Sequence, residues 1–142
     1  MQLPLLLIAD TSVPEALGNK LLRGAKGLGL QLGKDIQVMY TSPSQTHSPS
    51  MKKLQGKIIY KLADKRSLEW WSFQKELREK IKLFEPKLVL VTGILALKPI
   101  IFKEIYARHG CVANYLTDDP WNPIHRRRLF LKNLCLYNHI FS

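Results

Sequence analysis

Six short apolar runs, at residues 3–9, 36–40, 57–62, 88–92, 111–117 and, more weakly, 137–141, show almost no alternation of apolar with polar side chains. A strand with one wet face alternates with a period of two. Runs that stay apolar throughout therefore belong to strands covered on both faces, as in a parallel sheet. The segments between them have helical spacing: Leu17, Leu21, Leu22, Ala25 and Leu28 form one stripe, and Trp70, Phe73, Leu77, Ile81 and Phe84 another. Each stripe is expected to be buried. Ser67 is placed to cap the second helix, and Pro86 to end it. Strand and helix alternate along the chain, which predicts an α/β fold with a Rossmann-like, doubly wound sheet of five to six mainly parallel strands.

A chain of 142 residues, 46% of them hydrophobic, suits one domain over 1–142. The stretch TSPSQTHSPS at 41–50 has little to bury and reads as a loop rather than a linker, since neither side of it could close a domain alone. GAKGLGLQLG at 24–33 follows a helical stripe and reads as a helix C-cap and turn.

The 22 Lys and Arg against 11 Asp and Glu leave a net charge of +11, and residues 51–142 hold 18 of the cations against 8 of the acids. That bias suits an anionic partner such as nucleic acid, a phosphorylated small molecule or an acidic membrane surface, or simply a solvated surface. Cys111 and Cys135 stand alone, with no CxxC and no histidine at ligand spacing, so neither a metal site nor a disulfide framework is expected. The amino-terminal run meets Asp10 well before the roughly 20 residues that a membrane span needs. A cytoplasmic protein without a span is the expectation. No GxGxxG follows the first run and no GxxxxGK[ST] occurs anywhere, so no nucleotide cofactor is expected.

In doubly wound sheets, ligands bind beyond the carboxyl ends of the strands, where the strand order reverses. If the first five runs take the order 3-2-1-4-5, Asp10, Thr11 and Ser12, then Thr92 and Gly93, then Asp118 and Asp119 all rim one crevice. DDPWN at 118–122 has two readings. Locally, Asn122 caps a helix beginning at Pro123, with Asp119-Pro120 as the preceding turn. Functionally, two adjacent carboxylates disfavour each other's ionisation, which leaves one able to accept a proton from a substrate hydroxyl. Neighbours on an extended chain point to opposite sides, so only one of the pair is expected to do chemistry. Trp121 reads first as a partly buried anchor and second as a stacking platform for a sugar or base. Arg126, Arg127 and Arg128 are expected in the first turns of the helix after Pro123, where cations oppose the helix dipole. His47, His109 and His139 show no ligand or relay spacing.

The order FEPKLVLVTG, a helix, GCVANYLTDDPWN, an arginine-bearing helix and YNHIFS resembles the amino-terminal half of the spore-maturation-type glycosyltransferases, relatives of the two-domain GT-B group. The match is good over residues 84–142 and only by pattern before them. The resemblance implies a GT-B enzyme whose first Rossmann-like domain contacts the acceptor and whose second binds a nucleotide-sugar without an obligatory metal. It places Thr117, Asp118, Asp119, Pro120, Trp121 and Gly93 on the family's motif positions. Asp119 or Asp118 would orient the acceptor or take its proton, and Trp121 would shape the cleft wall. That family's chain continues past YNHIFS, whereas this sequence stops at Ser142. A fragment, a frameshifted gene and a stand-alone half-enzyme would look alike, and a nucleotide-sugar would be a partner only if a second domain were supplied. The alternatives are a basic nucleic-acid-binding α/β module, disfavoured because aromatic and basic residues are not interleaved, and a phosphoacceptor domain, disfavoured because only Asp10 follows the first run.

Overall fold

The computed structural model describes residues 3–41 and 68–142. In chain order these form β1 (Leu5–Ala9), α1 (Leu17–Gly27), β2 (Ile36–Tyr40), α2 (Leu68–Phe84), β3 (Leu88–Thr92), α3 (Pro99–Tyr106), β4 (Cys111–Tyr115), a short α4 (Arg128–Lys132), a 3-10 turn (Leu134–Leu136) and β5 (His139–Phe141). The five strands make one sheet in the order β2-β1-β3-β4-β5, every neighbouring pair parallel. The fold is therefore α/β and Rossmann-like, as the unalternating runs require. Five of the six apolar runs become strands, trimmed at their ends. The run at 57–62, the Ser67 cap and all of the 41–50 loop beyond Thr41 lie outside the described residues, as does His47.

Side chains of β1 alternate between two different covers. Leu6 and Ile8 belong to the cluster that holds Phe73, Leu77 and Ile81 of α2 together with Ile101, Phe102 and Ile105 of α3. Ala9 faces the other way, against Gly18 of α1. Helices thus flank both faces, as right-handed connections running left to β2 and right to β3 demand. On α2 the expected stripe of Trp70, Phe73, Leu77 and Ile81 is fully buried and Phe84 half so. Polar clamps fix this layer: Trp70 Nε1 donates to the Ala96 carbonyl (2.6 Å), Gln74 Oε1 accepts from the Lys98 amide (2.9 Å), and Arg78 makes a two-nitrogen bond to Glu104 Oε1. The hydrogen bond from Arg78 holds the Glu104 carboxyl below the usual range.

The α1 stripe departs from expectation at its last member. Leu17, Leu21, Leu22 and Ala25 are half-buried, but Leu28 is 83% exposed. The cause is the cap: the Gly29 amide bonds to the Lys26 carbonyl and the Leu30 amide to that of Ala25, with Gly29 at φ +83. This Schellman turn folds Leu30 back towards Ala25 and throws Leu28 outward. The GAKGLG segment is thus a C-cap, as its composition suggests. The end of α3 has the same geometry, with His109 at φ +56, its amide on the Tyr106 carbonyl and the Gly110 amide on that of Ile105.

A second correction concerns the segment after Pro123. Asn122 Oδ1 accepts the Ile124 amide and its carbonyl takes the His125 and Arg126 amides, yet the turn ends there. Arg127 is extended (φ −127) and the helix starts only at Arg128. Crowding cations into a first turn opposes the dipole, and the restart is where Phe130 reaches full burial. The arginines are therefore not the consecutive helical turn that the sequence predicts.

Leu77 is fully buried between α2 and the sheet. Leu77→Ala is expected to lower the unfolding free energy by about 2–5 kcal/mol, read as a reduced urea midpoint with an unchanged slope.

Candidate functional site

β1 is paired on both sides, with β2 reached by one connection and β3 by a return across the sheet. The order reverses between β1 and β3, the place beyond the carboxyl ends where doubly wound sheets bind their ligands. Thr92 Oγ1 ties the strands at this point by donating to the Ile8 carbonyl (3.2 Å).

The loop after β1 is tightly organised. Asp10 Oδ1 accepts the Ser12 amide (2.8 Å), an Asx turn that starts the loop, and the Asp10 carbonyl accepts the Gly18 amide (3.1 Å). Asn19 Nδ2 donates to the carbonyls of Thr11 (3.1 Å) and Val13 (2.7 Å), bracing the loop from α1. A Cβ on Gly18 would lie 2.3 Å from the Asp10 carbonyl oxygen and 2.9 Å from the Ala9 Cβ, so only glycine lets α1 approach the strand end this closely. Beside the loop, a groove of about 430 Å³ runs past Ser12, Asn19, Arg23 and Lys26.

The turn after β3 depends on Gly93, at φ +73. Its amide donates to the Tyr115 carbonyl (2.8 Å) and its carbonyl accepts Asn114 Nδ2 (3.0 Å), so β4 holds the turn from both ends. A Cβ there would lie 3.3 Å from Thr117 Oγ1, which brings Gly93 and Thr117 into direct proximity. Asn114 is wholly buried, and its Oδ1 and the buried Tyr137 hydroxyl both lack a hydrogen bond of ordinary geometry. Burial drives the Tyr137 phenol far above its usual range, with the Asn114 side chain acting in the opposite sense. Tyr137 is therefore a neutral buried group, packed against Phe102 and Phe130.

The two carboxylates after β4 are engaged separately. Asp118 Oδ2 accepts the Thr117 hydroxyl (3.0 Å), whereas Asp119 Oδ1 accepts the Trp121 amide (2.9 Å). Pro120, which follows them, is buried, while Asp118 and Asp119 are exposed. Each thus keeps one oxygen outside its local bond. Trp121, read first as a partly buried anchor and second as a stacking platform, is 63% exposed on the rim. The Asx turn at Asp119 and the burial of Pro120 fix the loop without the indole.

The structure brings Gly93 and Thr117 together and puts Asp10, Asp118, Asp119 and Trp121 on loops at the same end of the sheet. Gly18, Asn19 and Asn114 escape a search for glycine-rich fingerprints. The available signals were a glycine in the first turn of a helix that leaves a strand, and a lone amide in an otherwise apolar strand. Among the described residues no three His, Cys, Asp or Glu side chains cluster as metal ligands, and no helix is long and apolar enough to cross a membrane. Compared with family models, curated proteins and solved structures, the chain matches none.

Gly18→Ala forces backbone to move, whereas Gly93→Ala meets only one hydroxyl besides its unfavourable φ. Both substitutions are expected to destabilise, Gly18→Ala by about 1–3 kcal/mol and Gly93→Ala by about 1–2 kcal/mol. Thermal and urea unfolding of the two variants beside the parent chain measures both losses.

Proposed function

We propose that residues 1–142 form the acceptor-side domain of a GT-B glycosyltransferase, which holds an acceptor hydroxyl for attack on a nucleotide-sugar bound by a second domain. The observation that carries this reading is the set of groups at the reversal point: Asp10, the Gly93 turn, Thr117 and the Asp118–Asp119 pair, with Trp121 exposed at the rim. A sugar acceptor asks for that combination, carboxylates to accept hydroxyl protons and an aromatic wall for an apolar ring face.

Of the two carboxylates, Asp119 is the better proton acceptor for an incoming hydroxyl. Asp118 already receives a hydroxyl from Thr117, while Asp119 is fixed by a backbone amide through one oxygen and presents the other. Transfer also needs charge stabilisation on the leaving diphosphate, usually the largest catalytic contribution. Arg126 follows a turn, Arg127 is extended and Arg128 starts a helix, so the three do not project from one helical face. The second domain of the two-domain architecture would supply that stabilisation.

Purified residues 1–142 are expected to show no turnover of nucleotide-sugars, and the same residues joined to a donor-binding domain are expected to transfer. In that longer enzyme Asp119→Asn keeps the Oδ1 acceptor for Trp121 and removes only the charge. It should reduce kcat by about 10²-fold or more. Clear transfer by residues 1–142 alone would refute the half-enzyme reading, and an undiminished Asp119→Asn rate would refute the role given to that carboxylate.

A further inference from the structure

Parallel strands put all their amino ends at one end of the sheet, and the helices that run back between them deliver their carboxyl ends there too. That end is opposite the crevice. It exposes Leu3 (55%), Leu28 (83%), Leu32 (54%) and Leu83 (88%), from the approach to β1, the α1–β2 connection and the last turn of α2. Exposed apolar side chains alone are ordinary, and the opposite end has its own in Val13, Trp121 and Ile124; what distinguishes these four leucines is the charge set beside them.

Three of these leucines have an exposed lysine within two residues: Lys26 beside Leu28, Lys34 beside Leu32, and Lys82 beside Leu83. Lys87 and Arg108 lie at the same end, joined by a bond from Lys87 Nζ to the Arg108 carbonyl. Of the acids there, Asp35 is buried and turned inward onto the Gln31 amide, and Glu85 lies 4.0 Å from Arg108 Nε. The end is therefore cationic, with apolar tips between its charges. Its turns are also well defined, since the Schellman turn after α1 sets Leu28 outward, and Glu85, at φ +48 with its amide on the Ile81 carbonyl, closes α2 next to Leu83.

We propose that this amino-end surface docks the protein on an anionic lipid bilayer, with the leucines entering the interface and the lysines resting on the headgroups. Lipid is the partner that uses both chemistries at once, because apolar burial and attraction to anionic headgroups add in interfacial binding. A phosphate backbone would satisfy the lysines and leave the leucines in water. A second copy would set like charge against like, in a chain of net charge +11. The surface needs no spanning helix, and docking through it would leave the crevice facing away from the bilayer.

Co-sedimentation of the 142-residue chain with phosphatidylcholine vesicles, with and without about one third phosphatidylglycerol, tests the assignment. Binding is expected on the anionic vesicles only, and it should weaken as salt rises. Leu28→Ser with Leu83→Ser should reduce the partition coefficient about tenfold, and Lys26→Gln with Lys34→Gln and Lys82→Gln should reduce it about tenfold as well. All five positions are exposed, and circular dichroism confirms that the variants fold. Absence of sedimentation with anionic vesicles overturns the proposal, as does sedimentation that the leucine pair leaves unchanged. Lysine-dependent, leucine-independent binding to a short DNA duplex, with no lipid binding, would assign the surface to nucleic acid instead.

Discussion

Each described strand runs in the same direction as its neighbours, and β1 lies between two of them with its hydrogen-bonding groups taken on both edges. A chain built this way must leave every strand at one end and return by a crossover to the other. The two ends of the sheet therefore collect different things. At the carboxyl ends lie the loops after β1, β3 and β4, which diverge because the next strand is on one side of β1 in one case and on the other side in the other. At the amino ends lie helix termini, closed by left-handed residues such as Gly29, Glu85 and His109.

The loops at the carboxyl end are held at two ranges. Asp10, Asp119 and Asn122 each turn a side-chain oxygen onto an amide two residues ahead, so the loops carry hydrogen bonds of their own. Asn19 braces the loop after β1 from α1, and Asn114, near the end of β4, reaches the Gly93 carbonyl. A buried amide with one oxygen left without a partner is costly. Its bond to the Gly93 carbonyl fits a turn that has to be held in one geometry, because Gly93 alone has too much freedom to stay at positive φ.

Both ends of the sheet carry both signs of charge. Asp10, Glu15, Asp118 and Asp119 follow the carboxyl ends of their strands, as do Lys98, Arg126, Arg127 and Arg128, while Lys26, Lys34, Lys82 and Lys87 lie near the amino ends with Asp35 and Glu85. What differs is the state of the acids: Asp118 and Asp119 are exposed neighbours, whereas Asp35 is buried and Glu85 faces Arg108.

Fold class, the strand cores and the buried stripe of α2 were legible in the sequence, because burial on two faces or on one stripe writes itself into local periodicity. So were the carboxyl-end positions of Asp10, Gly93 and Thr117, since strand ends follow from strand positions. Three features were not legible. Leu28 continues the helical stripe in spacing, yet a cap set by Gly29 expels it. Asn122 and Pro123 carry a helix-start pattern, yet the chain turns once and restarts at Arg128, where Phe130 finds its place in the core. Trp121 has the composition of an anchor, yet Pro120 takes the buried position. Leu28 is decided locally, by the Gly29 cap; at Asn122 and Pro123 local pattern states a preference worth about 1 kcal/mol or less, and the packing of Phe130, worth several times more per buried side chain, makes the choice. The sequence by itself determined which segments had to be covered. Only the tertiary structure decided which loops meet, because Gly18 against Asp10, Thr117 beside Gly93 and Asn114 on the Gly93 carbonyl are contacts between segments whose spacing along the chain has no period to read.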